Sequence, residues 1–294
     1  MAVIGAGHVG LVTGAGLATL GHSVRVGEAS AERVRQLQGG YVPIFEPDLD
    51  RLVRDGLEAG SLSFHASNAE AVDGADVVFI AVPTPQGANG EADLTTMESV
   101  ISEIGPHLSE GALVVMKSTV PVGSTRRFQE ELDGLGAKAT VLSNPEFLRE
   151  GHAVADFLHP DRIVLGTEDK GAVEVMIELY KALDAPVVVT DPISSEMIKY
   201  GSNAYLATRI TFANAMANLC EAVGADIRDV LLGMGYDRRI GFHFLDPGPG
   251  YGGSCLPKDT RALVAIADAS GYDFALLKGV IEVNEEQARR VVAK

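Results

Sequence analysis

Residues 2–10 read Ala-Val-Ile-Gly-Ala-Gly-His-Val-Gly. Ala2–Gly5 is a short apolar run that ends in glycine, the pattern of a strand entering a turn. His8–Gly21 then continues with apolar and small residues as a helix. Gly5, Gly7 and Gly10 form a G-x-G-x-x-G between the two. Gly5 permits the tight turn, Gly7 lets backbone approach a pyrophosphate, and Gly10 lets the helix lie close on the strand. The helix N-terminus turns its N–H groups toward an anion, so Gly5, Gly7, His8, Val9 and Gly10 are candidate cofactor-binding residues. Ser23–Val26 reads as a second strand, and Glu28 follows it, 18 positions after Gly10. A carboxylate there accepts hydrogen bonds from a ribose diol and favours NAD. Arg25 and Arg33 lie nearby and leave NADP open, and Arg33 joins the cofactor candidates. The other reading is a purely structural glycine turn. The strand before, the helix after and Glu28 favour the dinucleotide.

Outward from this motif the alternation continues. Ser30 caps a helix to about Gln38, with Glu32 in its first turn. Apolar runs at 76–82 (DVVFIAV), 112–116 (ALVVM), 138–142, 162–165 and 186–190 (PVVVT) read as further strands, the first of them apolar enough to be buried on both faces. Strands separated by helix-length segments imply βαβ units. Near Asp191 the β-rich runs stop. Ser194 or Ser195 is expected to cap a long helix from Glu196 to about Val223, with a stripe at Leu206, Ile210, Ala213, Ala217 and Cys220. More helices are expected at 226–234, 257–269 and 274–292. The expected fold is therefore α/β. A Rossmann-like doubly wound parallel sheet over residues 1–189 binds NAD, and an all-helical central dimerisation domain follows over 190–294.

Composition narrows the class. The chain has 294 residues, 46% hydrophobic and 22% charged, near the globular average. It holds 24 basic and 40 acidic residues, a net charge of −16, and no basic run. Nucleic-acid binding rests on neutralised phosphates, so a nucleic-acid partner is not expected. Two cysteines exclude a disulfide scaffold or a Cys-rich metal site, so no metal is expected. They fit a reducing cytoplasm. Met1–Val24 carries no Asp, Glu, Lys or Arg, but it contains six glycines and two histidines and lacks a basic n-region. No membrane partner is expected.

The second chemical signal is 248–259, GPGYGGSCLPKD. Its glycines make a close-approach loop, and Pro257 opens a helix, where its missing N–H costs nothing. Cys255 thus stands at a helix N-terminus, which favours the thiolate. Lys258 is adjacent and Asp259 one turn on. Cys220, on the apolar stripe, suits a structural thiol; Cys255, among glycines and charges, suits a nucleophile. Lys199 and Asn203 stand four apart on one helix face that continues as Leu206 and Ile210. A solvated Lys near a helix start is the ordinary reading. If the pair points inward it suits a developing oxyanion.

Together these features resemble the nucleotide-sugar 6-dehydrogenases of the UDP-glucose/GDP-mannose dehydrogenase family. GAGHVG is joined in order by PIFEP (43–47), VPTP (82–85), KSTVPVGST (117–125), NPEFLREG (144–151), PDRIVLG (160–166), KYGSNAYLA (199–207), RIGFHFL (239–245) and GGSCLPKD (252–259). The resemblance implies an oxidoreductase that takes UDP-glucose to UDP-glucuronate in two NAD-dependent steps. Cys255 forms the thiohemiacetal and then a thioester that water hydrolyses. Lys199 and Asn203 match oxyanion-stabilising residues, Thr119 and Asp259 those that hold and activate water, and Glu146 an acid/base. Phe147, Leu148 and Glu150 match a sugar-contacting loop, Arg239 an arginine that reaches a neighbouring subunit's substrate, and Tyr251 and Gly252 lie in the loop under the sugar. Thr84, Thr119 and Glu150 match cofactor contacts. A cytoplasmic homodimer built on the helical domain, acting in polysaccharide biosynthesis, is implied. Glu28 stands where the family usually has Asp, and His8 where it commonly has Tyr. The family's C-terminal UDP-binding domain is not present in these residues. GDP-mannose as substrate and a non-catalytic NAD-binding fragment are the competing readings.

Overall fold

A computed structural model of the chain describes residues 1–87 and 90–293. The chain forms two compact units, Met1–Pro85 with Asp93–Lys199, and Gln86–Ala92 with Tyr200–Lys294.

The first unit is a single eight-stranded sheet in the order β3-β2-β1-β4-β5-β6-β7-β8. Its strands are β1 Ala2–Ile4, β2 Val24–Gly27, β3 Leu62–His65, β4 Val77–Ile80, β5 Leu113–Met116, β6 Thr140–Ser143, β7 Ile163–Gly166 and β8 Val187–Thr190. The central strands β1, β4 and β5 are buried throughout, as both faces are covered. Val3, Phe79 and Val115 pack one face with Leu11 and Leu17 of α1 (His8–Thr19). Ile4, Val78 and Val114 pack the other. There they meet Met97 of α5 (Thr95–Ile104) and Phe128 of α6 (Ser124–Gly134). The remaining helices of this unit are α2 Ala31–Gln38, α3 Leu49–Glu58, α4 Asn68–Val72, α7 Ala153–Leu158 and α8 Lys170–Tyr180. Strand order reverses between β1 and β4. Open α/β sheets bind ligands outside the carboxyl ends of the strands at such a point. The glycine turn after β1 and the 81–85 segment after β4 end there.

Two features depart from the expected sheet. β3 has no counterpart in the expected strands, because Leu62 and Phe64 alternate with half-buried Ser63 and His65 instead of forming an apolar run. The sheet is also not wholly parallel. β7 pairs antiparallel to β6 at Ser143 and Gly166, while β7 and β8 run parallel to each other. An antiparallel neighbour needs no crossover over the sheet.

The long helix α9 spans Pro192–Val223, starting four residues before the expected Glu196. Asp191 is the cap: its Oδ1 accepts the Ser194 N–H at 3.0 Å and its Oδ2 the Ser194 hydroxyl at 2.6 Å. Pro192 fits the first helical position, whose N–H has no acceptor. Glu196 on this first turn accepts the Thr125 N–H and hydroxyl, at 2.8 and 2.6 Å, and so caps α6.

The second unit takes α9 from Tyr200 onward with α10 Ile227–Gly235, α11 Leu256–Ala269 and α12 Ala275–Ala293. Its core gathers Tyr200, Ala204 and Ala207 with Ala262, Leu263, Leu277 and Val280. The inward face of α9 is thus rotated from the expected stripe. Ala213 and Cys220 are buried, whereas Leu206, Ile210 and Ala217 are half-buried. Small residues at 204 and 207 let α11 and α12 approach, which hydrophobicity alone did not signal. Among the described residues no helix is long and apolar enough to cross a membrane.

Candidate active site

The glycine turn has the geometry a dinucleotide needs. Gly5 sits at φ +101°, a region only glycine enters without strain. A Cβ on Gly10 would stand 1.8 Å from the Gly5 carbonyl oxygen, whereas one on Gly7 would meet nothing within 4 Å. So Gly10 sets the helix–strand approach and Gly7 keeps the outer side open. Gly7 is the cap of α1 and offers no side-chain bond; the first helical bond runs from the Leu11 N–H to the Gly7 carbonyl at 2.9 Å. The N–H groups of His8, Val9 and Gly10 therefore have no acceptor within the helix. Glu28, just past β2, accepts the Ala6 N–H at 3.0 Å and the Ser30 N–H at 2.8 Å, and Arg33 lies 3.8 Å from it. An open pyrophosphate cradle beside a ribose-reaching carboxylate fits a nicotinamide dinucleotide.

Glu46 is a support that the sequence reading did not single out, although it lies in the quoted PIFEP segment. Its carboxylate is buried and meets His8 Nε2 at 2.8 Å, the Gly151 N–H at 2.9 Å and the Ala153 N–H at 2.7 Å. Burial pushes this carboxyl up, but the three donors outweigh it and hold it below the usual value. Thr84 donates its hydroxyl to the Thr119 carbonyl at 2.8 Å, joining two expected cofactor contacts. Glu150 is exposed.

The same unit buries Glu146 with Lys199, Nζ to Oε1 at 2.8 Å, so the inward reading of Lys199 is the one that describes its position. The other carboxylate oxygen accepts the Leu148 N–H at 2.6 Å. Burial raises the Glu146 carboxyl, yet Lys199, the Leu148 N–H and Lys117 together hold it below its ordinary value. Lys117, also missed, is buried and donates to Asn144 Oδ1 at 3.1 Å. Tyr180 donates to the same oxygen at 2.8 Å. Burial, helped by the Lys199 charge and opposed by Glu146, lowers the Lys117 ammonium to about 8. Lys117 opens the quoted KSTVPVGST segment, but burial of its ammonium is not written in local pattern. Phe147 lies under the Arg162 guanidinium, 3.5 Å from carbon to ring centre, with Leu148 half-buried beside it.

In the second unit Cys255 caps α11, with Pro257 in the first turn. It is an exposed thiol, and Cys220 a buried one. The Asp259 N–H donates to the Cys255 carbonyl at 2.9 Å. The Asp259 carboxylate is buried and bound on both oxygens, by Asn203 Nδ2 at 2.6 Å and by Lys258 Nζ at 2.6 Å. One of the two Asn203 side-chain N–H donors is thus spent on Asp259. Tyr251 is half-buried and Gly252 exposed. Arg239 is exposed and paired with Asp237 at 2.6 Å.

Residues 1–184 match the NAD binding domain of the UDP-glucose/GDP-mannose dehydrogenase family, and residues 193–286 match its central domain. The chain belongs to the UDP-glucose/GDP-mannose dehydrogenase family. A UDP-glucose 6-dehydrogenase of Bacillus subtilis is 46% identical over 299 residues, covering 99% of this chain and 67% of that protein. One from Pseudomonas aeruginosa is 47% identical, covering 98% and 65%. The structure of a UDP-glucose dehydrogenase from the hyperthermophilic archaeon Pyrobaculum islandicum superposes with a TM-score of 0.94 at 41% identity, over 97% of this chain and 67% of that one. The chain therefore spans about two thirds of the length of these family members. Family membership gives the glycine turn its ligand, since the matched domain is the family's NAD-binding one.

Proposed function

We propose that this chain carries the NAD-dependent oxidation of UDP-glucose to UDP-glucuronate through a thioester on Cys255. The observation that carries the reading is an exposed thiol capping α11, with buried Asp259 one turn into the same helix, bound by Lys258 beside it and by buried Asn203 of α9. A helix N-terminus favours a thiolate. The names of the relatives point to UDP-glucose rather than GDP-mannose.

A dinucleotide held at the glycine turn and Glu28 would supply the oxidant, with two NAD molecules used in succession, each taking one hydride. The chain's own residues do the rest. Glu146, held as a carboxylate, takes the proton of the sugar's primary alcohol as the carbon loses hydride. The Cys255 thiolate adds to the resulting aldehyde carbon, and the carbonyl oxygen becomes an oxyanion. Lys199 and Asn203 supply N–H donors to that charge. Loss of the second hydride leaves the thioester. Asp259 and Thr119 hold the water that cleaves it, giving the acid and returning the thiol. Phe147, Leu148, Glu150, Tyr251 and Gly252 contact the sugar, and Arg239 reaches the substrate of a second copy.

The second copy is expected to dock along α9, where Tyr205, Phe212 and Leu219 recur at seven-residue spacing and are all exposed. Such spacing keeps apolar groups on one helix face. A cytoplasmic setting accords with the two thiols. The test is a coupled assay with UDP-glucose and GDP-mannose. Two NADH per UDP-glucuronate support the reading; equal or better turnover of GDP-mannose, or none of UDP-glucose, overturns it.

A further inference from the structure

The glycine loop that leads to Cys255 is held from beneath by side-chain amides. Asn284 of α12 pairs with both backbone groups of Tyr251: its Oδ1 accepts the Tyr251 N–H at 2.7 Å, and its Nδ2 donates to the Tyr251 carbonyl at 3.1 Å. The pairing mimics a strand neighbour on a loop that has none. Three residues upstream, Gly248 is held the same way by two helices. Its N–H donates to Asn214 Oδ1 of α9 at 2.7 Å, and its carbonyl accepts from Gln287 Nε2 of α12 at 2.8 Å. Gln287 is itself fixed by Asn218 Nδ2, which donates to its Oε1 at 2.8 Å. Asn214 and Gln287 are buried.

Gly250, between the two clamped residues, has φ +109°, and a Cβ there would fall 2.7 Å from Asn284 Oδ1. The clamp thus depends on glycine at 250. Residues 252–255 beyond it are exposed. Four hydrogen bonds fix 248–251, and the next four residues reach the nucleophile without burial.

We infer that Asn284 and Gln287 are positioning residues for Cys255: their grip on Tyr251 and Gly248 sets where the loop delivers the thiol at the start of α11. The inference rests on the reading of Cys255 as the nucleophile. A buried amide is costly when its partners are lost, so the buried amides of Asn214 and Gln287 and the half-buried amide of Asn284, all spent on one loop, need a reason beyond packing. Holding a reacting group in one geometry is such a reason.

The test compares the full chain with Asn284→Ala and Gln287→Leu. Hydrogen exchange at Tyr251 is expected to quicken at least about tenfold in Asn284→Ala, with exchange in the α11 and α12 cores unchanged. Alkylation of Cys255 by iodoacetamide at pH 7 is expected to slow about fivefold or more in both variants, and to converge with wild type near pH 10, where the thiol is ionised in either case. For UDP-glucose oxidation, kcat is expected to fall while KM for NAD holds. If Asn284→Ala does not fold, Gln287→Leu decides alone, since it releases the loop from its other end. Alkylation within twofold of wild type at pH 7, with the loop demonstrably loosened, overturns the inference. That readout needs no NAD or sugar nucleotide, so it stands or falls apart from the oxidation reading.

Discussion

Lys199 Nζ stands 2.8 Å from Glu146 Oε1, with the two side chains 4% and 6% exposed. A buried pair of this kind contributes little over an apolar pair of equal shape, but breaking it is expensive. Lys199→Met leaves a buried carboxylate with only Leu148 and Lys117 beside it, and is expected to cost about 3–5 kcal/mol in urea denaturation at pH 7. The double variant Glu146→Gln/Lys199→Met is expected to be more stable than Lys199→Met alone. The pH sign follows from the depressed carboxyl. Its contribution is complete above the unfolded value near 4.3 and is lost as pH falls through the lower folded value. Equal pH profiles for wild type and Lys199→Met below pH 5 would contradict this.

Lys117 gives a pH effect of the same sense in a higher window. Its folded value of about 8 lies below the ordinary 10.5, so between these the unfolded chain binds more protons. Stability then rises with pH through that window, by up to about 3 kcal/mol. Lys117→Met is expected to flatten the rise. The measurement is the difference in urea midpoint between wild type and variant from pH 7.5 to 10.

Cys255→Ser replaces a thiolate by a poor nucleophile. UDP-glucuronate production is expected to fall at least about 100-fold, with no sugar adduct on the protein by mass spectrometry. Acid formation at the wild-type rate would remove Cys255 from the mechanism.

Gly7→Ala and Gly10→Ala separate ligand approach from packing. A Cβ at 7 has open space and one at 10 collides with the Gly5 carbonyl. Gly7→Ala is expected to keep the wild-type melting temperature yet weaken NAD about tenfold, about 1.4 kcal/mol by calorimetry. Gly10→Ala is expected to destabilise by about 1–3 kcal/mol and to lose NAD binding as well.

Leu219→Asp places a charge in the exposed Tyr205–Phe212–Leu219 row. Light scattering is expected to show a dimer for wild type and a monomer for the variant, with unchanged helix content. A variant that stays dimeric would move the interface elsewhere.

Much of this was legible in the chain. Gly5, Gly7, Gly10 and Glu28 announce their geometry because backbone freedom and a fixed strand–helix spacing are local properties. Central strands such as Val77–Ile80 are legible because burial on both faces leaves a continuous apolar run. β3 was not, because its alternating Leu62-Ser63-Phe64-His65 is half-buried. The reversal of β7 was not, since a strand's direction leaves no mark on its composition. Lys117 and Glu46 are individually ordinary residues. Their importance comes from partners elsewhere in the chain, 27 residues away for Lys117 and 105 for the Glu46–Gly151 bond. The α9 stripe was misplaced because small residues, rather than large ones, mark the face that neighbouring helices approach most closely.

Glu46 also ties two pieces of the cofactor-binding unit into one mechanical part. Its single carboxylate grips His8 at the mouth of the glycine turn and the backbone at 151 and 153 where α7 begins. Because the group is held below its ordinary carboxyl value, this latch stays shut across neutral and mildly acid conditions. It opens only as pH falls through its lowered titration, when one proton weakens its hold on both strands of the grip together. Protonation of this one carboxylate should therefore free His8 and the 151–153 backbone as a single concerted release.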